Sequence, residues 1–158
     1  MDADILRKRI WEEMLLADMR ANYFAELVRH YLQLDKALRV ATLIVTSGAV
    51  ATALYELDTV VKLGVPILAA AFSFWLLISQ YGSMARDASD LHGGWSTIQS
   101  DYERIWNSLD SGNVEQKFQE IYGRAEGLSK SATKFPNKKR RLSYWLDHAA
   151  TSAKARYA

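Results

Sequence analysis

Two long stretches of this chain carry no charge, and that absence decides what it can fold into. From Val40 to Tyr55 and from Leu63 to Ala85 no Asp, Glu, Lys or Arg occurs, and between Arg39 and Arg86 the only charged residues are Glu56, Asp58 and Lys62. All other charges crowd into the flanks, so the mean hydropathy of -0.15 over 158 residues averages away the contrast that matters. A charge-poor centre between charge-rich arms is the distribution of a membrane protein with soluble ends.

Each uncharged run reads as a spanning helix. The second has the length a bilayer asks for, about 20 apolar residues. The first covers only about 24 Å at 1.5 Å per residue against a core of about 30 Å, and so borrows Ala37, Leu38 and Leu57 or thins the bilayer. The connector from Glu56 to Lys62 has room only for a hairpin turn, and Pro66 falls in the first turn of the second run, where a missing N–H costs little. Lys36, Arg39 and Arg86 abut the outer ends of the hairpin while the connector is net acidic, which places both termini in the cytoplasm. Tyr55 and Tyr81 stand near span ends as interfacial aromatics, and Trp75 is a mid-span packing or lipid contact.

The arms read as amphipathic helices. Before Gly48 there is no glycine or proline, and Leu6, Ile10, Met14, Ala17, Ala21, Phe24, Val28 and Tyr31 recur at spacings of three and four. After the hairpin, Gly93-Gly94 marks an expected bend. Ile98, Tyr102, Ile105 and Leu109 form one stripe, and Val114, Phe118, Ile121, Ala125 and Leu128 form the next, beyond a turn at residues 110–113. A closing helix carries Leu142, Leu146, Ala149 and Ala153. No β-strand pattern occurs. The expected organisation is all-α: a cytoplasmic N-terminal helix over 1–38, a transmembrane hairpin over 39–85, a cytoplasmic helical region over 86–129, and a basic tract with its helix over 130–158.

With no cysteine, disulfides, thiolate zinc sites and cysteine nucleophiles are excluded, and His30, His92 and His148 stand at no metal-ligand spacing. No Gly-x-Ser-x-Gly elbow, P-loop, HExxH or paired-carboxylate spacing is present, so neither an enzyme nor a cofactor or metal is expected. Asp87 and Asp90 beside Arg86 read as paired charges at a membrane exit, and His30 beside Tyr31 as a packing residue.

The segments HYLQLDKALR before the first run, SGAVATAL within it and QYGSMARDASDLHGGW after the second together resemble the SLATT family of two-transmembrane bacterial effectors, over roughly residues 20–125. The resemblance implies a multi-pass protein of the bacterial inner membrane that forms pores in anti-phage defence by abortive infection. It also implies a nucleotide signal made by a separately encoded nucleotidyltransferase-type enzyme. It carries over no catalytic or pore residue.

Two constellations remain. On the first span Thr42, Thr46, Ala49, Ala53 and Glu56 fall within about 40° of one line, a face fit to line a pore in a ring of subunits with Glu56 at its outer mouth. The competing reading has the threonines bonding back to their own helix. Two helices cannot enclose water, so conduction requires a homo-oligomer, for which four subunits is the working number. Small residues at Ala41, Val45, Gly48, Thr52, Ala69 and Ser73 permit close helix approach. The second constellation is KSATKFPNKKRR, which holds Lys130, Lys134, Lys138, Lys139, Arg140 and Arg141 with no anion, together with Phe135 and, just after it, Tyr144 and Trp145. Cations for phosphates and rings for bases are what a nucleotide or single-stranded oligonucleotide needs. The alternatives are a strip lying on anionic lipid headgroups, in a membrane-anchored binding or scaffold protein that is no channel, and a merely solvated charge run.

Overall fold

The chain is all-helical. The computed structural model describes residues 3–46, 80–109 and 113–157 and the positions 67, 70, 71, 73–75 and 78, and among them no strand occurs. The helices whose ends are described are α1 (Ala3–Thr46), α2 (Tyr81–Trp106), α3 (Val114–Ser131) and α4 (Lys139–Tyr157), with a 3-10 turn at Ala132–Lys134. Contacts divide the chain into one unit of Met1–Leu27 with Asp87–Ala158 and a second of Val28–Arg86.

The first unit is a bundle whose directions follow from its pairings. Trp11 meets Trp106 and the His92 ring nitrogen Nδ1 lies 2.9 Å from the Ala21 carbonyl oxygen, so α2 runs antiparallel to α1. Tyr102 packs on Phe118 while Gly94 faces Leu128, which turns α3 back again. Glu26 meets Arg141 and Trp11 meets Tyr157, so α4 descends beside α1. The result is an up-down-up-down arrangement. Its core is the set of stripes that the spacing picks out. Ile10, Met14, Ala17, Ala21 and Phe24 are buried, as are Ile98, Tyr102, Ile105, Val114, Phe118, Ile121 and Ala125. Leu6, Leu109 and Leu128, at the stripe ends, are half-buried, as is Val28 where the second unit begins.

Gly93-Gly94 does not bend α2, which runs through both residues without a break. A Cβ at Gly94 would lie 2.9 Å from Leu128 Cδ2, so the glycine there serves the close approach of α3. Pro136 does break the chain. The residue before a proline is driven out of the helical region, and Phe135 takes φ -95° and ψ 150°, ending the 3-10 turn. The helix resumes when the Lys138 carbonyl oxygen accepts from the N–H groups of Arg141 and Leu142.

The α4 helix is held in a way the others are not. It buries only Ala149 and Ala153 fully. Its polar contacts are to carboxylates. Glu26 accepts from Arg141 Nη1 at 2.7 Å and from Trp145 Nε1 at 2.9 Å, and Glu103 accepts from the Tyr157 hydroxyl and pairs with Arg156 at 3.5 Å. Because the Glu26–Arg141 pair is about a third exposed, solvent screens it, and Glu26→Gln is expected to cost about 1 kcal/mol. Hydrogen exchange should show the α4 amides opening roughly fivefold faster with α2 and α3 unchanged. Equal acceleration in all three helices would mean that α4 does not open by itself.

In the second unit Tyr31 stacks on Tyr81 with ring centroids 6.3 Å apart, and Asp35 pairs with Arg39 at 2.9 Å. His30 lies against Tyr31 but is itself exposed. The single helix expected over 63–85 is interrupted, because Gln80 takes a left-handed φ of 43° and α2 begins afresh at Tyr81. Large apolar side chains stand exposed here, among them Leu43 at 69%, Ile67 at 62%, Phe74 at 68% and Ile78 at 63%. Among the described residues no helix is long and apolar enough to cross a membrane. The hairpin connector, most of the first uncharged run and part of the second lie outside the described residues.

Candidate functional site

The nine residues of the basic constellation do not form one surface. Lys130 pairs with Glu126 at 2.8 Å along α3, Lys134 with Asp87 at 2.6 Å, and Arg141 with Glu26, while the Trp145 indole N–H is spent on the same Glu26. Phe135 is buried edge-on against Phe24, with centroids 5.6 Å apart. Lys138, Lys139 and Arg140 are exposed and make no ion pair among the described residues, and Tyr144 is 62% exposed with its ring edge-on to Trp145. The cationic face is therefore the short run from Lys138 to Arg140. Asp87, read as a paired charge at a membrane exit, has Lys134 as its partner.

The residues on either side of that run, Asn137 and Leu142, line a cleft of about 380 Å³ in the first unit, a volume in the range of small-ligand sites. The kink at Phe135-Pro136 makes one wall, with Asn137 and Leu142 beside it, and α1 and α2 supply Arg20, Phe24 and Trp95. The Tyr23 hydroxyl donates to the Pro136 carbonyl oxygen and fixes the kink against α1. Arg20 lies with its guanidinium carbon 4.4 Å from the centre of the Trp95 ring, and its Nη1 donates to Ser129 Oγ at 2.9 Å. Burial pulls the Arg20 pKa below the ordinary arginine value, against an opposing pull from Glu13.

No carboxylate or histidine lines this cleft, and no group of three metal-binding side chains occurs among the described residues. What it offers is hydrogen bonding, a positive charge and apolar surface. That is the equipment of a binding site. Arg20, Ser129, Asn137 and Trp95 were not singled out by spacing, and no local pattern could have done so, since Arg20 and Ser129 are 109 residues apart in sequence.

On the pore line, Thr42 donates its hydroxyl to the Leu38 carbonyl oxygen at 2.9 Å, the back-bonding of the competing reading. Thr46 ends α1. The Thr46 side chain and Ala49, Ala53 and Glu56 lie outside the described residues. No protein-family model, curated protein or solved structure matches this chain.

Proposed function

We propose that this chain is the membrane-anchored subunit of a homo-oligomeric pore-forming effector, of the anti-phage kind that its likeness to the SLATT family implies, regulated by a nucleotide-type ligand bound in the Arg20 cleft. The observation that carries the ligand half is the cleft itself: an arginine over the Trp95 ring and apolar surface from Phe24 and Phe135, with the exposed Lys138-Lys139-Arg140 run following the lining residue Asn137 in sequence. Supporting the anchor half are the exposed apolar side chains of the second unit, a density that soluble surfaces avoid. In this reading the hairpin spans the bacterial inner membrane with both termini in the cytoplasm, and the ligand biases the pore by binding its open and closed states with different affinity.

The test uses the full chain purified in detergent, with ATP and a short oligothymidylate as probes. Both are expected to bind at low ionic strength. Replacing Lys138, Lys139 and Arg140 together by Gln is expected to weaken the oligothymidylate and lower its log K against log salt slope by about 2, near 0.7 for each neutralised phosphate. Chain reconstituted in liposomes is expected to pass ions, with a flux that the bound probe changes. If neither probe binds and the chain instead pellets with phosphatidylserine vesicles through these three residues, the basic run is a lipid contact and the ligand half fails.

A further inference from the structure

We infer that Arg20 is the receptor for a phosphoryl group at the floor of the cleft, with Ser129 and Asn137 as its partners, so that the ligand is a phosphomonoester whose organic part lies against Phe24, Phe135 and Leu142. This rests on the ligand reading above and deepens it. Of all the lysines and arginines among the described residues, only Arg20 and Arg141 are not fully exposed. Arg141 has its carboxylate, Glu26. Arg20 has no carboxylate within ion-pair distance: its direct contacts are the Trp95 ring and a neutral hydroxyl, and Glu13 acts on it only from farther off. Sequestering a guanidinium with no anion bonded to it is costly, and a site of that kind is suited to an anion that comes to it.

The geometry suits an anion in detail. Stacking on Trp95 occupies a face of the guanidinium and leaves its edge, where the N–H groups point, for bidentate bonding to two phosphoryl oxygens. Ser129 Oγ already accepts from Arg20, which leaves its own proton to donate to the same group. Thr133 also lines the cleft but spends its hydroxyl proton on the Lys130 carbonyl oxygen, so it contributes no donor. The Asn137 amide, also in the cleft lining, supplies a further N–H donor. A bare phosphate would leave most of about 380 Å³ unfilled, whereas a phosphomonoester with one ring system fills it.

Isothermal titration of the full chain in detergent with AMP, adenosine and orthophosphate tests this. AMP is expected to bind best, orthophosphate more weakly at the same site, and adenosine hardly at all. Arg20→Gln is expected to weaken AMP and orthophosphate by about tenfold to a hundredfold, as loss of a charge-assisted bond does, with Arg20→Lys intermediate. Ser129→Ala, which leaves the packing of Trp95 intact, is expected to lose severalfold and keeps the test decisive should Arg20→Gln unfold. If AMP binds and neither Arg20→Gln nor Ser129→Ala weakens it, the Arg20 assignment is overturned while the nucleotide reading stands. Orthophosphate binding that depends on Arg20, with no preference for AMP, would leave the anion site standing and end the nucleotide reading. No binding of any of the three to the wild-type chain ends both.

Discussion

Replacing Trp95 by alanine is expected to lower the unfolding free energy of the chain by about 3–5 kcal/mol, as buried Trp→Ala changes do. Trp95 is 1% exposed, and its ring is the platform under Arg20. Truncation therefore removes apolar burial and the support of the one partly buried cation that has no carboxylate within ion-pair distance among the described residues. Its indole nitrogen, however, has no hydrogen-bond partner there, so nothing polar is lost with it. Trp95→Phe should consequently cost only about 1–2 kcal/mol, because it keeps a ring for the guanidinium and discards an unsatisfied donor. Urea unfolding in detergent micelles, followed by far-UV circular dichroism, reads both. A loss below about 1 kcal/mol in the alanine variant would show that Trp95 does not sit at the centre of the bundle.

Tyr102→Phe is expected to do the opposite and stabilise the chain by about 1–2 kcal/mol. The Tyr102 side chain is fully buried, and its hydroxyl finds no partner among the described residues, so folding strips it of water without recompense. Burial also pushes its pKa above the ordinary tyrosine value, with Glu13 and then Tyr122 adding to the shift, and Arg20 and Arg124 opposing it. The sign follows from where the proton stays. Below about pH 10 the hydroxyl is protonated in both states and contributes no pH dependence. Above it the unfolded tyrosine ionises while the folded one holds its proton, so stability falls with rising pH by up to about 1.4 kcal/mol per unit. In Tyr102→Phe that part of the alkaline limb should vanish. An unchanged alkaline slope together with a destabilised variant would mean that the hydroxyl is satisfied in solution.

What the sequence disclosed here is what has a period. Apolar spacing of three and four located Ile10, Met14, Ala17 and Phe24 on one helix, and Phe118 and Ile121 on another, because a helix must repeat its buried face every turn. Partnerships across the bundle have no period. The tract from Lys130 to Arg141 looks uniformly basic along the chain, yet Asp87 and Glu26, far away in sequence, neutralise two of its cations and leave a much shorter run. Glycine is ambiguous in the same way, since a bend and a close approach both call for a missing side chain. At Gly94 only the position of Leu128 distinguishes them. The Arg20 cleft was invisible because its walls meet only when Pro136 turns the chain back over α1.

The sides of α4 carry one further meaning. Trp145, Ala149, Ala153 and Tyr157 follow one another at intervals of four, so a single helical face reads large, small, small, large. The alanines are buried, at 0% and 7% exposure, where a ring in place of the methyl group would have to displace neighbours. Slipping α4 one turn in either direction would drive the indole or the phenol ring into a space that a methyl group already fills. The two rings therefore act as end stops, and the helix is indexed along the bundle like a bolt between two shoulders. Since Leu142 of α4 lines the cleft, the same two rings set its place along the bundle beside Arg20.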